Sequence, residues 1–138
     1  MRDLPRKLSV EELAELFSGR TAFVERLAEL EDPLDRADEV ARGLTEAERL
    51  EAVETHPRIG EPSPEQRGAE PRILAELAVL NCAYEDRFGF RFIVFVNRRS
   101  RRELLPVLRE RLARTREEEL DTALSELVEI AKDRWSRQ

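Results

Sequence analysis

Four helix-start signals constrain this chain more than any other feature of its sequence. Each consists of a serine or threonine with a glutamate three residues later, a pair that can satisfy two free backbone N–H groups at a helix N-terminus. Apolar residues at helical spacing follow each signal. We therefore predict an all-α fold. The four pairs are Ser9 with Glu12, Thr45 with Glu48, Ser100 with Glu103, and Thr115 with Glu118.

Three further helices are predicted between these signals. Thr21 can cap one of them, and a short one runs up to Gly43. Pro71 suits the first turn of a third, which Gly89 terminates. Pro106 falls early in the helix that follows Ser100. We expect it near the first turn, because a proline lacks the N–H that a helix interior needs.

Two segments break the helical pattern. Residues 57–71 carry four prolines and two glycines, which predicts an irregular loop. The stretch from Phe90 to Val96 has the composition of a strand, yet nothing else in the chain suits a partner strand. We therefore expect residues 90–96 to form a buried extended segment or a short helix.

Composition limits the class of protein further. A length of 138 residues suits one compact multi-helix domain, 1–138. The net charge of −6 argues against nucleic-acid binding. Residues 1–7 do not resemble a signal peptide, and the apolar runs are too short to span a membrane. The single Cys82, interpreted as a free buried thiol, fits a reducing compartment, so we expect a cytoplasmic protein.

The chain has one histidine, His56, where the fourth helix meets the proline-rich loop. Histidine titrates near neutral pH, so it can accept and donate protons under cellular conditions. It is therefore a candidate acid/base residue. The alternative is a structural role, in which the ring merely caps the last carbonyls of the helix. Its position alone does not decide between the two.

Residues 87–102 contain six arginines, no acid and four of the six phenylalanines. An apolar pocket rimmed by guanidinium groups suits a small planar anion. The alternatives are a solvated basic loop and a nucleic-acid patch. The sequence shows no metal-ligand spacing and no phosphate-binding loop, so neither a metal nor another cofactor is expected.

These features together resemble the 2-oxo-4-hydroxy-4-carboxy-5-ureidoimidazoline (OHCU) decarboxylase family. One motif is the segment His56-Pro57-Arg58-Ile59-Gly60, and a second is Glu65-Gln66. The third and longest runs through Leu80-Asn81, Tyr84, Phe88-Gly89-Phe90 and Phe92-Ile93-Val94. The motifs stand in the family's order, and the resemblance extends from about Ser9 to the end of the chain.

The resemblance implies an all-α homodimer that converts the ureidoimidazoline, a small anionic ureide formed downstream of urate oxidation, into (S)-allantoin without a cofactor. It also implies that the irregular loop belongs to the active site, with His56 as the catalytic acid/base and Glu65 as the second catalytic residue. The residues implied to contact substrate are Pro57, Ser63, Gln66, Phe92, Ile93, Val94, Phe95 and Val96.

The sequence departs from the family in four places. The stretch between His56 and Glu65 is shorter than usual, and Ser63 stands one place closer to Glu65-Gln66 than the motif expects. Arg91 stands where a proline is common, and Asn97 stands where a basic residue often follows the substrate segment, a role that Arg98 can take instead. The shorter loop leaves two other functions open: a non-catalytic module that binds a ureide, and a purely structural helical dimer.

Overall fold

The computed structural model describes residues 3–56 and 71–137. Within these ranges the chain forms seven helices and no strand, which confirms the predicted all-α fold. None of these helices is both long and apolar enough to cross a membrane. The helices are α1 (Val10–Leu16), α2 (Ala22–Ala28), α3 (Pro33–Arg42), α4 (Glu46–Glu54), α5 (Pro71–Phe88), α6 (Arg101–Leu112) and α7 (Arg116–Ser136).

All four predicted capping boxes form, at the starts of α1, α4, α6 and α7. At Ser100, for example, the hydroxyl accepts from the Glu103 N–H at 3.2 Å, and the Ser100 N–H donates to the Glu103 carboxylate at 3.1 Å. Thr21 caps α2 through its side chain, as predicted. Gly89 follows α5 with a φ of 80°, a left-handed conformation that costs glycine little.

The longest helix, α7, organises the packing. It contacts α1, α3, α4 and α5, while α5 packs against α6 and α2 packs against α1, α3 and α4. The side chains that α7 buries recur at helical spacing. They are Glu119, Leu120, Ala123, Leu124, Leu127, Val128, Ala131 and Trp135.

Pro106 was expected near the first turn of its helix, and the structure places it just beyond that turn. It is the sixth residue of α6, beyond the first turn, and the helix continues past it to Leu112. Pro106 itself is exposed. Water can therefore reach the carbonyl group that the missing N–H would have bonded, which lowers the cost of the proline.

The interpretation of Cys82 as a buried thiol was also wrong, because its side chain is exposed. Successive residues of a helix are turned by about 100°, so Cys82 cannot share the face that carries Leu77 and Tyr84. The buried residues of α5 are Ile73, Leu77, Asn81, Tyr84 and Phe88.

Residues 91–96 form neither a helix nor a strand. Phe92, Ile93 and Val94 are each at most 6% exposed, so the segment crosses the interior of the protein. The expectation of buried non-strand structure is confirmed, and the alternative of a short helix is not. Asn97 and Arg98 then adopt left-handed backbone conformations, with φ of 48° and 64°, which turn the chain into α6.

Candidate active site

The side chain of His56 lies partly buried just beyond the end of α4. The backbone N–H of His56 donates to the Val53 carbonyl at 3.1 Å, which fixes the turn that carries the ring. The Nδ1 atom is buried, and none of the described residues offers it a hydrogen bond. A buried polar atom without a partner costs stability, so it marks this ring as a candidate for ligand binding or catalysis.

The turn after α1 packs tightly against the end of α4. A Cβ atom at Gly19 would lie 2.9 Å from the Cβ atom of Thr55, so this close approach requires glycine. Thr55 directly precedes His56. The turn between α1 and α2 therefore lies next to the histidine.

Arg134, near the end of α7, brings a positive charge to the same place. Its Nη1 atom donates to the Leu16 carbonyl at 2.9 Å and to the Ser18 hydroxyl at 2.7 Å. Both acceptors are neutral, and the acidic group that acts on the guanidinium is the Asp133 carboxylate, which offsets part of the effect of burial on its pKa. Burial lowers the pKa of Arg134, which shows that this cation is partly withdrawn from water.

Arg91 approaches His56 from the buried segment. Its Nη1 atom donates to the Glu54 carbonyl at 2.9 Å and to the His56 carbonyl at 2.8 Å. Its Nε atom lies 3.7 Å from the Glu54 carboxylate. These contacts bring the segment 91–96 against the end of α4. We call His56, Arg91 and Arg134 the His56 corner.

The His56 corner keeps the imidazole uncharged. Burial, and then the charges of Arg134 and Arg91, lower the pKa of His56 from 6.5 to about 4. The ring is therefore neutral at physiological pH, and a bound anion would raise its pKa again by offsetting the two guanidinium charges, so that the ring can accept a proton. An anionic ligand is attracted to the same place, because two guanidinium groups lie beside the ring.

Side chains, rather than a neighbouring strand, form hydrogen bonds with the backbone of the segment 91–96. Arg111 Nη1 donates to the Ile93 carbonyl at 2.6 Å, and Arg99 Nη2 donates to the Phe95 carbonyl at 2.7 Å. The Phe95 N–H donates to a Glu126 carboxylate oxygen at 3.4 Å. Burial raises the pKa of Glu126, which places this carboxyl group at the edge of the interior.

Phe92 and Val94 alternate with the residues whose backbone is bound by side chains, and their own backbone N–H groups are available to a ligand. In the part of the chain that the structure describes, no hydrogen bond is found for the N–H groups of Phe92 and Val94. Alternation of this kind is typical of extended backbone, because successive residues direct their polar groups to opposite sides. A ligand with carbonyl oxygens could satisfy these N–H groups.

A buried ion cluster supports the segment. Glu119 is 0% exposed and accepts from the Tyr84 hydroxyl at 2.6 Å and from Arg111 Nε at 2.7 Å. Its second oxygen lies 3.0 Å from Arg114 Nη1. The Arg111 guanidinium also lies over the Phe92 ring, 4.5 Å from its centroid. We call Tyr84, Arg111, Arg114 and Glu119 the Glu119 cluster.

The structure brings two of the predicted site regions together. Through Arg91, His56 adjoins the segment from Phe92 to Val96. The remaining predicted site residues, Pro57, Ser63, Glu65 and Gln66, lie outside the described residues.

The arginines of residues 87–102 do not act as one rim. Arg91 reaches His56, and Arg99 binds the segment's backbone. Arg98 and Arg102 are exposed, as in the alternative of a solvated loop. Of the arginines in this run, Arg91 is therefore the one for which a hydrogen bond to His56 is found.

Sequence reasoning missed Arg134. Its contacts are to residues more than a hundred positions earlier in the chain, so no local spacing signals them. The apolar periodicity of α7 indicates only that the position borders a buried face. Among residues 3–56 and 71–137, no three His, Cys, Asp or Glu side chains are placed to hold a metal ion.

Comparison with known proteins gives a consistent family. The model of the family described as OHCU decarboxylase matches residues 2–136. The uric acid degradation bifunctional protein PucL of Bacillus subtilis (strain 168) is 28% identical over 138 residues, which cover 91% of this chain and 28% of that protein. A uric acid degradation bifunctional protein of Bacillus sp. (strain TB-90) is 29% identical over 105 residues, covering 67% of this chain and 21% of that protein. The chain thus spans less than a third of either relative.

Two solved structures share the fold. A crystal structure of OHCU decarboxylase in the presence of (S)-allantoin aligns with a TM-score of 0.79 and 26% identity, covering 91% of this chain and 96% of that one. A crystal structure of (S)-allantoin synthase aligns with a TM-score of 0.73, covering 91% of this chain and 47% of that one. Its identity of 22% supports the fold alone.

Proposed function

The chain belongs to the OHCU decarboxylase family, and we propose that it converts 2-oxo-4-hydroxy-4-carboxy-5-ureidoimidazoline into (S)-allantoin and carbon dioxide without a cofactor. One observation carries the proposal. His56 is a neutral, partly buried imidazole, and its Nδ1 atom has no hydrogen-bond partner among the described residues. Such a ring can act as a general base toward a bound hydroxyl group.

The His56 corner suits the charge of this substrate. The substrate carries a carboxylate, and Arg91 and Arg134 place two positive charges beside His56. Attraction between a guanidinium and the carboxylate stabilises the bound substrate more than the transition state, in which that charge is being lost. We therefore assign Arg134 to substrate binding and His56 to the chemical step.

Carbon–carbon cleavage leaves an electron pair that the substrate itself accepts. As carbon dioxide leaves, the pair forms a double bond to the neighbouring ring carbon, and the nitrogen of the former C=N bond takes up a proton. The resulting enol loses its hydroxyl proton to His56 and gains a proton at the neighbouring carbon, which gives allantoin. Protonation on one face of the ring sets the S configuration.

The buried segment supplies the remaining contacts in this proposal. The N–H groups of Phe92 and Val94 hold ring oxygens, with Ile93, Phe95 and Val96 completing the contact surface. The neighbouring phenylalanine side chains exclude water from the departing carboxylate. Glu65 acts as the second catalytic residue and bonds the ureido group. Pro57, Ser63 and Gln66 also contact substrate.

The test is to follow allantoin formation by circular dichroism, starting from freshly generated substrate. Wild-type protein is expected to accelerate the reaction, and His56→Ala is expected to lower the rate by roughly 10²-fold or more. A folded wild-type sample with no acceleration over the spontaneous reaction would falsify the proposal. A raised melting temperature with allantoin, without turnover, would instead indicate a ureide-binding module.

We also propose that the protein is a homodimer that pairs through α5. The exposed face of this helix carries Ala75, Val79 and Ala83, and the Val79 side chain is 68% exposed. This face borders a groove of about 370 Å³. Arg72 and Asp86 lie equally far from Val79 along the helix. Antiparallel pairing of two α5 helices about Val79 would therefore bring each Arg72 to an Asp86 of the second copy, as a two-fold interface requires.

Cross-linking tests this interface. In a Cys82→Ser background, Val79→Cys is expected to form a disulfide-linked dimer under mild oxidation, because the two residues would face each other across the axis. Ala47→Cys, at an exposed position on α4, is the matched control and should remain uncross-linked. Equal cross-linking of the two variants, or a monomer by light scattering, would exclude pairing through α5.

The exposed thiol of Cys82 bears on location. An exposed free cysteine persists most readily where glutathione and thioredoxin keep thiols reduced. We therefore expect the protein to act in the cytoplasm. Fractionation of cells that express it at native level checks this expectation.

A further inference from the structure

Arg91 links the two parts of the candidate site. It lies one residue before Phe92, and its side chain donates to the backbone carbonyls of Glu54 and His56 at 2.9 and 2.8 Å. Its guanidinium therefore connects the start of the buried segment to the turn that carries the imidazole. The side chain is 22% exposed, so the contact is partly shielded from water.

The end of α4 offers a suitable place for this cation. The last carbonyl groups of a helix lack N–H partners within the helix, and the C-terminus carries a partial negative charge. The Nη1 atom of Arg91 donates one N–H to the Glu54 carbonyl, the last of the helix, and the other to the His56 carbonyl in the turn that follows. In the family that the sequence resembles, a proline is common at this position. A proline side chain could form neither hydrogen bond.

We propose that Arg91 is a positioning residue that fixes the His56 ring relative to the backbone N–H groups of the segment 92–96. This inference rests on the proposed function, because it assigns those two parts to one substrate. His56 acts on the substrate, and Arg91 acts through His56. A displacement of about 1 Å between groups that must act together can lower a rate ~10²-fold.

Charge provides a second readout of the same contact. Arg91 from the segment and Arg134 from α7 both lower the pKa of His56, after burial as the largest cause. The acidic group nearest to Arg91 is the Glu54 carboxylate on α4, at 3.7 Å. Removing the Arg91 charge should therefore raise the pKa of His56, whereas a purely structural contact far from the ring would not.

The experiment compares Arg91→Met, Arg91→Lys and a control, Arg36→Met, which removes an exposed arginine paired with Glu39 on α3. Because the chain has one histidine, its ring proton gives a single NMR resonance whose titration reports the pKa of His56 without ambiguity. Steady-state kinetics of allantoin formation give kcat and KM for the same proteins.

Arg91→Met is expected to raise the pKa of His56 by about half a unit or more and to lower kcat by ~10–100-fold. KM should change less, because the N–H groups of the segment remain. Arg91→Lys should keep the pKa near that of wild type, because the charge stays, but still lower kcat, because the lysine Nζ atom is one bond closer to the backbone than Nη1 and falls short of the two carbonyls. Arg36→Met should match wild type in both measurements.

An unchanged kcat and an unchanged pKa in folded Arg91→Met would overturn the inference. If Arg91→Met does not fold, an unchanged kcat in Arg91→Lys overturns it instead. Failure of the proposed function looks different, because wild-type protein then shows no turnover. In that case the NMR titration alone decides, and an unaltered pKa in Arg91→Met rejects the link between Arg91 and His56.

Discussion

The protein contains two polar regions, one fully and one partly buried, that differ in how their charged groups are paired. In the Glu119 cluster, the Glu119 carboxylate is matched by the Tyr84 hydroxyl and by the guanidinium groups of Arg111 and Arg114. In the His56 corner, two cations flank a neutral ring whose Nδ1 atom has no partner among the described residues. The carboxylate of the cluster is paired with cations of the protein itself, although Glu119 Oε2 and Arg111 Nη2 make no hydrogen bond to the described residues, whereas in the proposed function a ligand completes the corner.

This difference separates a supporting role from a reactive one. A buried network of paired charges holds its neighbours in place, and loss of one member leaves the others without partners. An unsatisfied buried group lowers stability and is retained where function needs it. Substitutions in the cluster should therefore act mainly on folding, and substitutions in the corner should act mainly on activity.

The largest expected effect is that of Glu119→Ala on stability. It removes the acceptor of Tyr84 and Arg111 in a site that is 0% exposed, so the free energy of unfolding should fall by ~3–5 kcal/mol. Denaturation by urea measures the change. Tyr84→Phe, which removes one hydroxyl, serves as the milder control and should cost ~1–2 kcal/mol. A loss below 1 kcal/mol for Glu119→Ala would mean that this cluster does not support the segment.

Arg134→Met should come next, and its effect should appear in KM. Loss of a hydrogen bond to a charged group is worth ~1.5–3 kcal/mol, which corresponds to a KM raised roughly 10- to 100-fold. Stability should change by only ~1 kcal/mol, because the Leu16 and Ser18 acceptors are neutral. Arg137→Met, on the exposed ion pair with Asp133, is the control from the same end of the molecule. Equal KM values for the two variants would remove Arg134 from substrate binding.

The effect of pH is the smallest at any one step, because it is spread over the whole window between the two pKa values of His56. The pKa of His56 is lowered to about 4 in the folded protein, so between pH 6.5 and 4 the unfolded chain binds more protons than the native one. Stability should therefore decrease as pH falls through this window, by at most ~1.4 kcal/mol per pH unit. Comparison with His56→Gln isolates this contribution. Parallel stability curves for the two proteins would show that the ring titrates as it does in water.

Local signals predicted the helices well. Each capping box involves residues three positions apart, so the sequence itself contains the complete interaction. On α5, the helical spacing of Ile73, Leu77, Leu80, Tyr84 and Phe88 predicts a buried face, and the structure buries these positions except that Leu80 is only partly buried and Asn81 is buried as well. The error at Cys82 arose from its residue type, although its place on the helix already indicated the exposed side.

Contacts between distant parts of the chain could not be predicted in this way. Composition indicated that residues 90–96 are extended and buried, but not that Arg111 and Arg99 would bind their carbonyl groups in place of a neighbouring strand. His56 was identified by its residue type and by its place before a proline. The cations beside it come from other elements, and only the packing of α7 against α1 brings Arg134 to the ring.

The cations of the His56 corner also affect how turnover ends. The proposed reaction consumes the negative charge that draws the substrate toward Arg91 and Arg134, since the carboxylate departs as uncharged carbon dioxide. Allantoin carries no carboxylate. The attraction between the two guanidinium groups and the bound molecule is therefore lost as soon as the product forms. In the proposed function, product is therefore held less tightly than substrate, and substrate should displace product even when product accumulates.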